Sequence, residues 1–523
     1  MSSAATATSS EIEKNEKPPT VKPAVELPRA QFLWIMVVIW VGNFAAFFNE
    51  TTATTSMHAI GQEFAALSDQ NWIATSYLLG FTVTQTLLGK FCDIFGRQLL
   101  FNSTLLLFSI GTLWCALSPS MISVVIARLI QGIGAAGRQT IGLIIILDCT
   151  TPQTRGMWLG TFHLSLSLGL AVGPWIGAIL SVMATWRYTF WITLILNALT
   201  FIIALIYMRF PGKDGKISEK LKQVDYVGSF LAVGTASLVC IALELGGKQF
   251  KWNSVPIIVM FCLAAVLIPA FAYYELHFAS QPIVNFRLFK KLNIILACFL
   301  NFVCGAALFG SVFYLPRYFI NVLGSDLITA GVQLFGLNIA AGFSSVAGSN
   351  LISLTGKTRL VGVMGAVPFI LGAALMFTVN EVSPAWKSIV LSILMGLGIG
   401  CLYQPALVVG PMSVKQEEVA GISGFLGFLR TLGGTVATAL LTSVFDTSFK
   451  SQLYGVLPSD LVDTGLKLAD EHENYPEYNG VIIKAIVYAF HIGYIPVIAF
   501  GITYLVSVVL LRGVDFTPKP RKT

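Results

Sequence analysis

Long apolar runs, separated by short polar interruptions, repeat along the chain from residue 32 to residue 511. A helix needs about 20 mostly apolar residues to cross the hydrocarbon core of a bilayer, and these runs have that length. Dividing the runs at glycine, proline and charged residues predicts fourteen membrane-spanning helices, at 32–56, 72–88, 99–117, 121–147, 158–181, 189–208, 225–245, 255–275, 293–314, 327–351, 360–379, 387–410, 418–446 and 485–511. The pattern therefore predicts an all-α, polytopic membrane protein.

Composition supports this fold class and excludes several functions. Of the 523 residues only 11% are charged, less than half the fraction of about 25% found in soluble domains. The eight cysteines form no CxxC pair, so we expect neither a disulfide framework nor a metal site. No GxxxxGK[ST] sequence and no nucleophile–base cluster occurs, so we expect neither direct ATP use nor an enzyme.

Basic residues predict the orientation in the membrane. The net charge is +7, and we attribute the excess to short loops rather than to an acidic partner such as nucleic acid. If the N-terminus is cytoplasmic, most lysines and arginines fall on the cytoplasmic side, as the positive-inside rule requires. Both termini are therefore predicted to be cytoplasmic.

The stretch predicted to join helices 2 and 3 reads GKFCDIFGRQ. Gly89 and Gly96 permit a tight turn, while Asp93 and Arg97 place opposite charges at the cytoplasmic mouth. Two interpretations remain open. The stretch is either a turn with solvated charges or a charge latch that helps to hold one conformation of a moving transporter.

Helix 4 places polar side chains inside the membrane. In VIARLIQGIGAAGRQTIG, Arg128, Gln131 and Arg138 recur at three- and four-residue spacing with Ala135 and Gly142, so they share one face. An arginine inside a membrane helix is costly unless it faces protein or water, which makes Arg128 a functional candidate. Arg138 is predicted to lie nearer the cytoplasmic end.

Helix 5 carries a small-residue pattern in SLSLGLAVGPWIGAIL. Gly169, Gly173 and Gly177 repeat every four residues and leave a groove for close helix packing. Pro174 removes one backbone hydrogen bond and bends the helix.

Together these stretches resemble the major facilitator superfamily, specifically its fourteen-helix drug:proton antiporter branch. GKFCDIFGRQ is similar to the family's loop between helices 2 and 3, RLIQGIGAAG to its helix 4 motif, and GLAVGPWIGA to the helix 5 motif associated with antiporters. WRYTFWI (186–192) is similar to the start of helix 6. In the second half, YLPRYFINVLGSDLITAGVQLF, GLGIGCLYQPALVVGP and GFLRTLGGTVATAL resemble fungal members, so the resemblance covers about residues 32–511.

The resemblance implies a major facilitator fold of two six-helix bundles with two inserted helices. Substrate would bind near the midplane between the bundles, which rock to expose it to each side in turn. The implied organisation is a disordered cytoplasmic tail (1–31), an N-terminal bundle (32–208), a cytoplasmic linker (209–224), two inserted helices and a connector (225–292), a C-terminal bundle (293–511) with an outer loop (447–484), and a cytoplasmic tail (512–523).

The end of helix 1 departs from the family pattern. Members commonly have an Asp-x-Thr motif there, and the alignment places Asn49 at the position of that Asp, with Glu50 next. Glu50 shares a helix face with Asn43, and burial in an apolar cavity favours a protonated carboxyl group that can exchange protons. Alternatively, Glu50 marks the outer membrane boundary, where water solvates it.

These observations define two sets of candidate residues. The proton-coupling or cavity candidates are Asn43, Asn49, Glu50, Arg128, Gln131 and Gln404. The gating or conformational candidates are Gly89, Asp93, Gly96, Arg97, Arg138, Gly169, Gly173, Pro174, Gly177 and Arg430, the last because a family arginine also falls there.

The resulting hypothesis is a secondary active transporter that exports small hydrophobic or cationic compounds, such as drugs, toxins or metabolites, by proton antiport. The proton gradient supplies the energy and no cofactor is needed. Two alternatives stay open: proton-coupled transport of basic amino acids at a vacuolar membrane, and a transporter-like sensor that binds without transporting. We expect a monomer in the plasma membrane, with a small molecule and protons as its partners and no nucleic acid.

Overall fold

The chain is described by a computed structural model for residues 25, 27–210, 217–247, 249–279, 282–462, 464–465, 468–469, 475 and 477–512. Within these residues there is no β-strand, only two isolated bridges. Fourteen long helices follow one another: α1 (Arg29–Thr55), α2 (Trp72–Phe95), α3 (Arg97–Ala116), α4 (Met121–Cys149), α5 (Pro152–Met183), α6 (Arg187–Tyr207), α7 (Tyr226–Leu245), α8 (Val255–His277), α9 (Leu292–Asn321), α10 (Phe335–Thr355), α11 (Thr358–Leu375), α12 (Ala385–Met412), α13 (Val419–Leu453) and α14 (Asn479–Val509). Shorter helices cover Met57–Glu63, Ile217–Lys222, Leu327–Gln333 and Ser459–Val462.

In the described part of the chain, thirteen helices are long and apolar enough to cross a membrane. One of them combines α10 with the short helix before it. The long helix outside this set is α2, which buries polar side chains against its neighbours, among them Thr82, Gln85 and Thr86. The predicted all-α, polytopic fold and the order of its helices are confirmed.

The helices pack as two bundles with two helices beside them. In the first half, α1 packs against α5 and α6, while α4 packs against α2 and α3. In the second half, α9 packs against α13, α12 packs against α10 and α11, and α14 contacts α9, α11 and α13. The inserted helices α7 and α8 pack on each other, and α7 also touches α2 and α13.

The bundles meet along two helix pairs, α5 with α10 and α2 with α13. Gly89 of α2 lies against α13 so closely that a Cβ atom there would be 2.6 Å from the carbonyl oxygen of Ala420 and 3.3 Å from the Cα of Gly424. In the other pair, a Cβ on Gly160 would be 3.0 Å from the Cα of Val346. We call the side where α1 begins and α14 ends the terminal side, and the opposite side the far side. The α2–α13 contact at Gly89 lies towards the terminal side.

Several predicted boundaries are wrong, and three of them show why. The helix α2 continues to Phe95, so Gly89 and Asp93 are helical and only Gly96, with φ at 91°, turns the chain. The helix α13 continues to Leu453, past the predicted start of the outer loop at 447, and α1 already begins at Arg29, inside the predicted tail. An apolar run marks the length inside the bilayer, whereas backbone hydrogen bonds carry a helix further into the polar interface.

Several predicted segments fall outside the described residues in part. These are the N-terminal tail at residues 1–24 and 26, the linker at 211–216, the connector at 280–281, the outer loop at 463, 466–467, 470–474 and 476, and the C-terminal tail at 513–523.

Candidate functional site

A cavity of about 980 Å³ lies between the two bundles and is lined by residues towards the far side. Its walls come from α1 and α2 of the first bundle and from α9 and α13 of the second, with Glu244 of α7 at its edge. The lining is mixed. Aromatic and aliphatic groups alternate with hydroxyl, amide and charged groups: Leu78, Phe309, Phe313, Tyr314, Leu441, Thr54, Gln70, Asn71, Thr431, Thr435, Thr438, Thr442, His58 and Arg317.

Glu50 is a buried carboxylate in the wall of this cavity. It is only 3% exposed, and its Oε1 atom has no hydrogen-bond partner among the described residues. The hydroxyl of Thr54, one turn later, donates to the backbone carbonyl of Glu50 and not to its side chain. Glu50 therefore faces the space between the bundles, and this position differs from that of a water-solvated residue at the membrane boundary.

Arg128 lies at the centre of a buried hydrogen-bond network beside Glu50. Its guanidinium donates to Asn49 Oδ1 and to Gln131 Oε1, both at 2.7 Å, and to the carbonyl oxygen of Ile73 at 3.1 Å. The guanidinium also lies 4.2 Å from the centre of the Tyr77 ring. The network joins α1, α2 and α4, and Arg128 itself is 0% exposed.

The amide side chains of Asn49 and Gln131 extend the network to two further helices. Gln131 donates to the Thr112 hydroxyl of α3 at 2.7 Å, and Asn49 donates to the Thr193 hydroxyl of α6 at 3.2 Å. Each amide thus accepts from Arg128 through its oxygen and donates through its nitrogen. Both polar atoms of the Asn49 amide therefore have a hydrogen-bond partner.

The network leaves the charge of Arg128 without a paired carboxylate. In the described part of the chain no ion pair reaches Arg128, whose partners at 2.7 Å are neutral amides. The carboxylate that acts on it electrostatically is Glu50. The carboxyl group of Glu50, the residue after Asn49, therefore lies on the cavity wall instead of in the network.

Three other cavity candidates lie elsewhere. Asn43 donates to the Phe162 carbonyl and the Ser165 hydroxyl of α5, both at 3.1 Å, and Gln404 donates to the Ser345 hydroxyl of α10 at 2.7 Å. Gln131 is buried inside the first bundle. None of these three lines the cavity, because a polar group in an apolar helix can be satisfied by a neighbouring helix as well as by water.

Arg138 is buried in the interior of the first bundle. Its guanidinium donates to Asn197 Oδ1 at 2.8 Å and lies 3.5 Å from the centre of the Phe108 ring. Asn197 in turn donates to the carbonyl oxygen of Leu105 at 3.1 Å. Arg138 therefore links α4 with α3 and α6 in the bundle core, and it lies nearer than Arg128 to the terminal side.

Charged residues around the end of α2 form a cluster on the terminal side. Arg97 lies 3.6 Å from Asp93 and 2.9 Å from Asp148 at the end of α4. These contacts brace α2, α3 and α4 inside one bundle and do not cross to the other. Sequence reasoning missed Asp148, although an acidic residue directly after the apolar run IIIL is the signal that could have found it.

The glycines of α5 form a groove that receives α1. A Cβ on Gly169 would lie 2.8 Å from the Phe44 carbonyl oxygen, and one on Gly177 would lie 2.8 Å from that of Thr52. At Gly173 the same atom would clash with the Thr51 hydroxyl and lie 2.9 Å from the Phe48 carbonyl oxygen. Pro174 follows within the helix, next to the backbone of Gly331.

A second missed contact lies at the far side of the first bundle. Glu63 accepts hydrogen bonds from Trp186 Nε1 and from Arg187, both at 2.6 Å. Partial burial alone would raise the pKa of Glu63, but these two hydrogen bonds and the charge of Arg187 lower it below its usual value of 4.5. WRYTFWI thus anchors the start of α6 to the segment after α1.

The described residues contain no group of three or more His, Cys, Asp or Glu side chains that could hold a metal ion. The chemistry of the site comes from one buried carboxylate, one buried arginine and the cavity between two bundles. Such a site can take up a proton and a small molecule, and it contains no nucleophile paired with a base.

Comparisons with known proteins agree with this architecture. The family model described as Major Facilitator Superfamily matches residues 39–438. The chain is 30% identical over 436 residues to "Efflux pump dotC" of Dothistroma septosporum, covering 83% of this chain and 73% of that one, and 25% identical over 469 residues to "Citrate exporter 1" of Yarrowia lipolytica, covering 89% and 70%.

A solved structure has the same fold. The inward-facing, occupied structure of a bacterial homologue of the human lysosomal transporter Spinster matches with a TM-score of 0.57 at 15% identity, covering 94% of this chain and 100% of that one. With the fourteen long helices and two bundles of its described residues and with the family model over residues 39–438, the chain belongs to the major facilitator superfamily of membrane transporters.

Proposed function

We propose that this protein exports small, largely hydrophobic organic compounds in exchange for protons, with Glu50 as the group that carries the proton. The observation that carries the proposal is the burial of Glu50 in the wall of the cavity between the bundles, next to the Arg128 network. Two opposing effects act on the proton of Glu50. Burial disfavours the ionised carboxylate, while the positive charge of Arg128 favours it.

This balance supports coupling between the proton and the substrate. A compound that enters the cavity displaces water from Glu50 and changes the stability of its charged form. Because Glu50 lies in the cavity wall and its Oε1 has no hydrogen-bond partner in the part of the chain described, we expect a compound in the cavity to add to the effects of burial and of Arg128 on its proton. Proton release on substrate binding at one side and proton uptake on the other would constitute antiport.

The cavity lining supports the substrate class. Phe309, Phe313 and Tyr314 supply apolar area, and the threonines of α13 supply hydroxyl groups. The wall carries both signs of charge, from the carboxylates of Glu50 and Glu244 and from Arg317, so our expectation of cationic compounds depends on the two carboxylates. Apolar area is the feature that we expect the transported compounds to share.

The closed end of the cavity supports alternating access. Contacts at Gly89 hold α2 against α13 on the terminal side, and the far side is open. Rocking of the bundles would separate α2 from α13 and close the far side. We propose that the terminal side is cytoplasmic, since most of the basic loop residues lie there, and that the protein works as a monomer in the plasma membrane.

The relatives support the outward direction of transport, since their names describe an efflux pump and an exporter. No substrate is carried over from those names.

The test is proton release from proteoliposomes that hold the purified protein under an imposed pH gradient. Ethidium, the neutral azole fluconazole and lysine are added in turn to wild type, to Glu50→Gln and to Glu244→Gln, a matched loss of a carboxylate at the edge of the same cavity. We expect ethidium or fluconazole to trigger proton release in wild type and in Glu244→Gln, and no release in Glu50→Gln.

Other outcomes separate the alternatives. Equal release in Glu50→Gln would refute its role in coupling. Release triggered by lysine alone would support the transport of basic amino acids, and binding without release or transport would support a sensor.

A further inference from the structure

Three side chains from different helices meet between the bundles, outside the cavity described above. His163 of α5 belongs to the first bundle, and Tyr403 of α12 and Arg430 of α13 belong to the second. The rings of His163 and Tyr403 lie 4.2 Å apart, and the guanidinium of Arg430 lies 5.7 Å from the centre of the Tyr403 ring. We call these three residues the His163 cluster.

The cluster is buried, yet its polar atoms are unused. Both ring nitrogens of His163, which is 1% exposed, lack a hydrogen-bond partner among the described residues. The guanidinium of Arg430, 4% exposed, makes a ring contact with Tyr403 but no hydrogen bond or ion pair within the described chain. Arg128 and Arg138 each donate to an amide oxygen, whereas the described chain gives Arg430 no such acceptor, so its positive charge can pair with a ligand.

The unused atoms are predominantly hydrogen-bond donors. Arg430 offers five N–H groups and no acceptor, while His163 and the Tyr403 hydroxyl each offer one donor in their neutral forms. The positive charge of Arg430 acts on both His163 and Tyr403. A group of converging donors around one fixed positive charge is matched by an anion with several acceptor atoms, and a carboxylate forms paired hydrogen bonds with arginine.

The cluster lies on the path that a substrate would follow. Gly434 lines the cavity, and Arg430 lies one helical turn before it on the same face of α13. It lies nearer to the terminal side than the cavity does. Because His163 belongs to one bundle and its two neighbours to the other, rocking of the bundles would separate them and open a space between them.

We propose that His163, Tyr403 and Arg430 form a binding subsite for the carboxylate of an amphipathic organic acid, whose apolar part lies along the aromatic wall of the cavity. The proposal rests on the proposed export function and names its substrate class. In this proposal the positive charge of Arg430 pairs with the carboxylate of the acid. His163 and Tyr403 donate further hydrogen bonds to the same carboxylate.

The test is equilibrium binding to the full-length protein in detergent micelles, measured by calorimetry. The probes are 2-naphthoate, its neutral amide 2-naphthamide, and the cation 2-naphthylmethylamine, which share one ring system and differ in charge. We expect the acid to bind about 10- to 100-fold more tightly than the amide, the range expected for hydrogen bonds to a charged group. The cation should bind no more tightly than the amide.

Substitutions test which residues cause the acid to bind more tightly than the amide. Arg430→Gln should reduce the preference for the acid to below about threefold, while the matched variant Arg317→Gln, which removes an arginine from the cavity wall, should keep it. If Arg430→Gln does not fold, Tyr403→Phe and His163→Gln provide smaller changes, and each should weaken naphthoate binding without affecting the amide. Equal binding of acid and amide, no binding of any probe, or loss of the preference in Arg317→Gln alone would overturn the proposal.

This test is separate from that of proton antiport. Binding in micelles needs no gradient, so a preference for the acid can appear even if Glu50 carries no proton. Conversely, proton-coupled transport of neutral compounds without a preference for naphthoate would leave the export function in place and refute the subsite.

Discussion

The contact at Gly89 makes a quantitative prediction about the conformational equilibrium. In the substitution Gly89→Ala, the new Cβ atom would lie 2.6 Å from the carbonyl oxygen of Ala420, whereas ordinary contact begins at 3.4 Å. The helices α2 and α13 must therefore separate by about 0.8 Å, the difference between these distances. The clashing atom belongs to the backbone, so it cannot move away by rotation of a side chain.

The expected cost falls on the conformation that is open at the far side. Overpacking of this kind costs about 1–3 kcal/mol, which shifts a two-state equilibrium by roughly 5- to 150-fold towards the conformation in which α2 and α13 are apart. The gain in helix propensity from glycine to alanine, about 1 kcal/mol, is present in both conformations and cancels.

Labelling of the cavity measures this shift. Thr435→Cys, on the cavity wall, is introduced into a variant that lacks the eight native cysteines, and its reaction rate with a membrane-impermeant maleimide is followed in proteoliposomes. Gly89→Ala should slow labelling at least fivefold. Gly234→Ala, where nothing lies within 4 Å of the new atom, is the matched control and should leave the rate unchanged. An unchanged rate in Gly89→Ala would show that the contact does not hold the terminal side closed.

Three further predictions concern the first bundle. Gly173→Ala places a Cβ atom against the Thr51 hydroxyl and 2.9 Å from the Phe48 carbonyl oxygen, so it should lower the melting temperature in detergent by an amount that corresponds to about 1–3 kcal/mol. Melting like that of Gly234→Ala would contradict the packing described for α1 and α5. In a double-mutant cycle of unfolding free energies, Arg97→Gln and Asp148→Asn should show a coupling energy of about 1 kcal/mol or more, since their contact is 2.9 Å and the Asp148 side chain is only 5% exposed. Additive effects would mean that the pair does not brace α3 against α4. Because the pKa of Glu63 is lowered, its contacts stabilise the fold above pH 4.5 and lose this effect as the pH falls through the lowered pKa. Wild type should therefore have a higher melting temperature than Glu63→Gln at pH 7, and this difference should shrink in acid. A difference that grows in acid would contradict the lowered pKa.

Much of the fold could be predicted from the sequence because the bilayer imposes a simple length rule. Each apolar run of the required length became a helix, and the small-residue repeat at Gly169, Gly173 and Gly177 does form a close groove. The error at Gly89 has a physical origin. A glycine near a polar stretch is typical of a turn, but here it permits close approach of α2 and α13, two helices far apart in the chain.

The site was predictable only where one helix carries its own signal. Glu50 and Arg128 were found because a charge inside an apolar run is costly. The contact of Glu63 with Trp186, and that of His163 with Tyr403, join distant parts of the chain, and no local pattern predicts such pairing. For the same reason Gln404 was expected in the cavity, although its partner is Ser345 on α10.

The most direct measurement of proton coupling compares two modes of transport in the same proteoliposomes. One mode is accumulation of a transported compound driven by a pH gradient, and the other is exchange of labelled for unlabelled compound at equal pH, which needs no net proton movement. If Glu50 carries the proton, Glu50→Gln should lose gradient-driven accumulation and retain exchange. Accumulation at the wild-type level in Glu50→Gln would contradict the role of Glu50 as the coupling group.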